Sequence, residues 1–157
     1  VPKKRIVIDT NVCLDLFVFR DPRWQSLLAA MQCGAVEAVT RHDCRTEWTL
    51  VLAYTKLGLD ADAQAAATAE FDQLIAIPEL PSIEGLPALP ACRDPDDQKF
   101  LELAAASGAA WLISKDKALL KLAGKMRRRG GFEILSPDQW IARHAQAPQG
   151  ADLQTVQ

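Results

Sequence analysis

Only two histidines occur in this chain, His42 and His144, and they lie far apart in sequence. The four cysteines, Cys13, Cys33, Cys44 and Cys92, form no C-x-x-C pair. Zinc sites draw on such residues at close spacing, so no zinc centre is expected. Scattered cysteines in a chain with an adequate core read as reduced, buried small hydrophobes, which suits a cytoplasmic protein. No apolar run reaches the roughly 20 residues that a membrane helix needs, so no membrane association is expected. The basic start Lys3-Lys4-Arg5 leads directly into a strand-like run, so no signal peptide is expected either. A net charge of −2 argues against a protein that coats nucleic acid non-specifically, while leaving room for a local basic rim.

What is present is an ordinary globular mixture: 157 residues, 49% apolar and 24% charged. A chain of this size buries roughly 70% of its unfolded surface and needs no staples. One domain is expected over residues 1–144, with 145–157 a frayed tail that lacks periodicity. Ile6-Val7-Ile8 suits a buried parallel strand, with Thr10 or Asn11 capping the helix after it. A helix from Asp21-Pro22 carries Trp24, Leu27, Leu28 and Met31 on its apolar face. Further strands are expected at Val36–Val39, Leu74–Ile77, Trp111–Ile113 and Phe132–Leu135. Thr40 with Asp43 resembles a capping box for a helix reaching Leu57. Helices are also expected over Asp60–Gln73, from Asp94-Pro95 to Gly108, after Ser114, and from Ser136 to His144. Alternating strands and helices predict an α/β fold with a mostly parallel sheet.

Four acids stand where a carboxylate is costly. Asp9 ends the run Arg5-Ile6-Val7-Ile8. Glu47, Asp97 and Asp116 each open an apolar stripe at i+3, i+4 and i+7: Leu50, Val51 and Tyr54; Phe100, Leu101 and Ala104; Leu119, Leu120 and Ala123. Residues at that spacing share a helix face, so the three acids are predicted to point inward. All four fall at the carboxyl edge of the predicted sheet, where α/β folds bind ligands. Buried carboxylates repel one another and need a cation, and an all-oxygen set suits Mg²⁺ or Mn²⁺. Such a cation lowers the pKa of water and stabilises a leaving oxygen, which is machinery for phosphodiester hydrolysis.

The segment Ile6-Val7-Ile8-Asp9-Thr10-Asn11-Val12 resembles the opening of PIN domains. Arg45-Thr46-Glu47-Trp48 is similar to their second acidic motif, Asp94-Pro95-Asp96-Asp97-Gln98-Lys99-Phe100-Leu101 to the third, and Ser114-Lys115-Asp116 to the fourth. The motifs occur in order between Ile6 and about Leu135, and the subgroup they resemble is the toxins of bacterial toxin–antitoxin pairs. The resemblance implies a three-layer sandwich around a five-stranded parallel sheet ordered 3-2-1-4-5. It implies a Mg²⁺- or Mn²⁺-dependent endoribonuclease acting on RNA, a small cognate antitoxin that blocks the site, and a homodimer. By position, Asp9, Glu47, Asp97 and Asp116 would be the catalytic and metal-holding acids, with Thr10, Asn11 and Ser114 in support. Within Asp94-Pro95-Asp96-Asp97 only Asp97 has the inward register, so Asp94 is read as a helix cap.

Plainer readings stand beside these. Asp97 and Asp116 would each gain roughly 0.3–1 kcal/mol merely from a helix N-terminus. Glu47 lies too far into its helix for that and would instead pair with Arg41 or Arg45. Asp15 reads as solvated. The basic run Lys125–Arg129 reads as a solvated helix end or a phosphate-binding rim, with Arg20, Arg23 and Arg45 as competing RNA contacts. Trp24, Trp48, Trp111 and Trp140 read as core or dimer contacts. The alternative function is a non-catalytic PIN-like scaffold for RNA or protein. Aspartate-nucleophile phosphatases are disfavoured because Asn11 stands where their second aspartate would be. A receiver domain is disfavoured because Ile77-Pro78 offers no aspartate after the third strand.

Overall fold

The computed structural model describes residues 3–144, so the tail expected over 145–157 lies outside the described residues. β1 (Lys4–Ile8), β2 (Val36–Val39), β3 (Ile75–Ala76), β4 (Trp111–Ile113) and β5 (Glu133–Leu135) form one sheet in the order β3-β2-β1-β4-β5. Every neighbouring pair is parallel. Both faces are covered by helices: α1 (Thr10–Phe17), α2 (Gln25–Gln32), α3 (His42–Leu52), α4 (Ala61–Leu74), α5 (Gln98–Ser107), α6 (Lys117–Leu120), α7 (Ala123–Arg129) and α8 (Pro137–His144). This is the sheet order that the motif resemblance implied.

The strands are short and apolar because the sheet is buried on both sides. Their two-residue period divides the core. Ile6, Ile8, Trp111, Ile113 and Leu135 face the layer built from α1, α2, α4 and α8. Val7, Leu112 and Ile134 face Phe100, Leu101, Leu103 and Met126 from α5 and α7. In the first layer Trp48 stacks on Phe71 at 5.3 Å, with Phe17 edge-on at 6.0 Å to Trp48 and 6.1 Å to Phe71. All four tryptophans are buried, as a core role requires.

Several local expectations are corrected. α1 is capped by Asp9, whose carboxylate accepts the Val12 N–H at 3.1 Å, and not by Thr10 or Asn11. The Thr40–Asp43 box does not form: Arg41 precedes the first turn of α3, and its guanidinium takes up the Asp43 carboxylate at 2.7 Å. α3 stops at Leu52, and a separate 3₁₀ turn covers Thr55–Leu57 before Gly58 in the left-handed region. The third strand shrinks to Ile75–Ala76 because α4 persists through Leu74. The inward stripe holds for Asp97, since Phe100, Leu101 and Ala104 are buried. It fails for Glu47, since Leu50 is 60% and Tyr54 50% exposed. The buried face of α3 is instead Cys44, Trp48 and Leu52, because the Trp48 indole is drawn into the aromatic cluster.

Burial of that cluster should dominate stability. Phe71→Ala is expected to cost about 3–5 kcal/mol, read as a lower urea midpoint at unchanged m-value. Phe71 sits in α4, remote in chain from every acid of interest, so the cost should appear with or without Mn²⁺.

Candidate active site at the carboxyl edge of the sheet

The sheet order reverses at β1 and β4, which are neighbours paired Ile8 to Ile113. Connections leave that edge in opposite directions, opening a crevice at the strand ends. Asp9 follows β1, and its N–H donates to the Ile113 carbonyl at 3.0 Å. Ser114 follows β4, and its N–H donates to the Leu135 carbonyl at 3.0 Å. Both side chains are thereby fixed by the ladder itself. The Ser114 hydroxyl, fully buried, donates to Asp9 Oδ2. The Ser114 hydroxyl oxygen in turn accepts the Asp116 N–H at 2.9 Å. Asp116 in turn caps α6 by accepting the Ala118 N–H at 2.7 Å. A hydrogen-bonded chain therefore runs from Asp9 through Ser114 to Asp116, with Ser114 as the bridge and Asp116 as the cap of α6.

The third acid arrives from the other side of the crevice. Pro95–Asp97 is a 3₁₀ turn leading into α5. Asp94 is the extended cap of that turn and Asp97 its last residue, so the turn brings the two acids together. One carboxylate oxygen each from Asp94, Asp97 and Asp116 lies within 4.8 Å of the others. Asp97 Oδ2 is buried and has no hydrogen-bond partner among the described residues. An uncompensated acceptor of this kind is costly and calls for a partner. Asp94 is the residue that sequence reasoning missed. It does cap, accepting the Asp96 N–H at 3.0 Å, but the proline-initiated 3₁₀ turn also swings it into the trio. The Asp-Pro dipeptide three residues before Asp97 was the available signal.

Glu47 is not in that trio. Its carboxylate accepts from the Thr10 hydroxyl and is ion-paired to Lys99 at 2.6 Å. Lys99, not Arg41 or Arg45, is therefore its cation; those arginines bind Asp43 with Glu102, and Asp72. Asn11 is exposed, and its side chain makes no hydrogen bond among the described residues. Asp15 is buried, not solvated: it accepts the Trp24 indole N–H at 3.1 Å and pairs with Lys115 at 2.5 Å. A cavity of about 1320 Å³ lies at the opposite, amino edge, beside Lys3, Arg5 and Arg129, and none of Asp9, Glu47, Asp94, Asp97 and Asp116 lines it.

Electrostatics follow from this crowding. Burial pushes the Asp9 carboxyl up to about 6, against the Ser114 and Val12 hydrogen bonds that favour its charge, and nearby Asp116 adds to the rise. Asp97 is pushed up to about 7 by burial, then by a side-chain contact with Asp116 close enough to share a proton, then by the charges of Asp116, Asp94 and Asp9. For Lys99, burial works against the charge, but the Glu47 carboxylate more than offsets it and holds the ammonium above its usual range. Two carboxyls rising together at one edge mark a site that resists being fully ionised without a cation.

A family model described as "PIN domain" matches residues 5–118, a span that holds every residue of this constellation. Comparison with curated proteins returned no match.

The raised carboxyls fix a pH dependence. A folded-state pKa above the ordinary 3.8 means that the native state holds extra protons, a contribution complete below about pH 4 and lost as pH rises through about 6 and 7. Asp21, Asp43 and Asp72 are held below the usual range by arginines and change only in acid, so they leave this window clear. Without divalent ions the melting temperature should fall between pH 5 and pH 8. Asp97→Asn should flatten that fall and raise Tm at pH 8 by about 3 °C, on the order of 1 kcal/mol, as measured by calorimetry or circular dichroism.

Proposed function

This chain belongs to the PIN domain family, a nuclease superfamily, and from that premise we propose that it is a Mg²⁺- or Mn²⁺-dependent endoribonuclease. The observation that carries this reading is Asp97, whose buried Oδ2 has no partner among the described residues and whose carboxylate gathers with those of Asp94 and Asp116. The donor set fits the group: all-oxygen, anionic and compact, as hard divalent cations require. Asp94, Asp97 and Asp116 would hold the ion. When bound, it would lower the pKa of water and stabilise charge at a phosphodiester.

The remaining residues hold the geometry. Asp9 stays oriented because Ser114 and the Val12 N–H each occupy one of its oxygens. Its carboxyl, near 6, can take up a proton at the edge where the substrate phosphate would lie. Thr10 fixes one oxygen of Glu47. Arg20, Arg23 and Arg45, the competing candidates for RNA contact, are engaged by Glu70, Asp21 and Asp72 at 2.6–2.7 Å. The Lys125–Arg129 run leads to the amino edge, where Arg129 lines the large cavity and donates to the Pro87 and Ala88 carbonyls, so it does not form a rim at this site.

The assignment to a toxin with a small antitoxin, and to a homodimer, rests on the resemblance of the four motifs. A cytoplasmic setting is supported by free thiols at Cys13, Cys33, Cys44 and Cys92. Among the described residues no helix is long and apolar enough to cross a membrane. Growth arrest on expression of wild type but not Asp97→Asn is the expected result for a toxin.

Purified protein should cleave single-stranded RNA with Mn²⁺ and stop on addition of EDTA. Asp97→Asn or Asp116→Asn should lower the rate at least about 10²–10³-fold while the fold survives. RNA binding without cleavage by wild type would instead indicate the scaffold. At about 100 times its Kd, Mn²⁺ should stabilise wild type by about 2.7 kcal/mol and Asp97→Asn far less. Asp94→Asn separates two roles, since asparagine caps a helix as well as aspartate does. Weaker Mn²⁺ binding with unchanged metal-free Tm is the outcome expected of a ligand, and unchanged Mn²⁺ binding the outcome of a cap alone.

A further inference from the structure

Lys99 stands in an electrostatically wrong place. It is the second residue of α5, in the first turn, where the helix dipole is positive and an acid would be favoured. Residues that break a local rule in this way are found at functional sites. Its side chain is only 18% exposed, and its ammonium is ion-paired to Glu47 across the α3–α5 boundary at 2.6 Å. It also donates to the Asp96 carbonyl. An ammonium carries three donors. Two are thereby directed at protein oxygens, and no third acceptor lies within hydrogen-bond distance among the described residues.

Glu47, for its part, belongs by motif with the other acids yet takes no part in the compact trio of Asp94, Asp97 and Asp116. The site therefore contains two separate anionic positions. One is the trio, with its unpartnered Asp97 oxygen. The other is Glu47, already neutralised by a fixed cation from the chain.

We propose that the Lys99 ammonium occupies the place of a second cation, so that this chain takes one divalent ion at Asp94, Asp97 and Asp116 and supplies the other positive charge itself. The inference rests on the metal-dependent nuclease reading. A lysine is suited to the part because it is a compact point charge with rotatable donors. Its free donor would contact a non-bridging oxygen of the scissile phosphodiester, and Glu47 and Thr10 are the residues that position it. Charge arriving from a side chain needs no ion to be recruited before the substrate binds.

The test is the Mn²⁺ stoichiometry of the full chain at pH 8, measured by titration calorimetry for wild type, Lys99→Met, Lys99→Gln and the double variant Lys99→Met/Glu47→Gln. Wild type should take one ion. Each single variant should show a second, weaker binding event, and the double variant should lose it again. Lys99→Arg should keep one ion. In cleavage of RNA with Mn²⁺, Lys99→Met should lose about 10–100-fold in kcat with KM little changed, and Lys99→Arg should recover most of it. Two ions in wild type would overturn the proposal and leave the nuclease reading standing. No ion in wild type would overturn both. One ion in every variant would overturn the proposal by reducing Lys99 to a staple between α3 and α5.

Discussion

Asp97 and Asp116 bring carboxylate oxygens within 4.8 Å of each other, and Asp9 stands one hydroxyl away behind Ser114. Repulsion among these carboxylates is the constraint to which the surrounding structure responds. Every one of these acids except Asp97 has an amide or hydroxyl donor assigned to it: Val12 and Ser114 for Asp9, Ala118 for Asp116, Asp96 for Asp94. The cap donors lie at the starts of helices or of the 3₁₀ turn before α5, so partial positive charge faces the crevice from more than one side. These donors lessen the cost of gathering the acids without removing it. Raised Asp9 and Asp97 carboxyls are what remains.

The sheet makes the gathering possible. Because β1 and β4 are adjacent and parallel, the residues that follow them emerge side by side although 105 positions apart in sequence. The backbone N–H groups of Asp9 and Ser114 extend the sheet by one rung beyond the strand ends. The acid and its bridging hydroxyl are thus held by ladder hydrogen bonds and not by loop conformation. Rigid placement of this kind limits how far Asp9 can move away from Asp116 to relieve their repulsion.

Much of this was legible in the sequence. Buried parallel strands announce themselves as short apolar runs, and an acid directly after such a run can only lie at the carboxyl edge. Hence Asp9, Ser114 and Asp116 could be placed at that edge from pattern, and Asp97 from the apolar stripe that follows it. What stayed hidden depended on tertiary packing or on turn geometry. Glu47 was assigned an inward face because Leu50, Val51 and Tyr54 follow it at helical spacing. The Trp48 indole stacks on Phe71, so α3 buries Cys44, Trp48 and Leu52 and leaves Leu50 outside, and the helix ends before Tyr54. Asp94 was read as a cap, which it is, but periodicity for an α-helix does not describe the short 3₁₀ turn that brings it beside Asp97. Asp15 looked solvated, and only the approach of Trp24 and Lys115 from distant segments buries it. Ion pairs such as Lys99 with Glu47 join separate helices, and no local pattern encodes them.

The most direct test of the central claim, that these carboxylates form a divalent-cation site, is anomalous diffraction from crystals of the protein grown at pH 8 and soaked in Mn²⁺. The expected result is an anomalous peak bonded to oxygens of Asp94, Asp97 and Asp116, with Asp97 Oδ2 among its ligands. A well-occupied lattice showing no peak there, with the three carboxylates left in mutual contact, would contradict it.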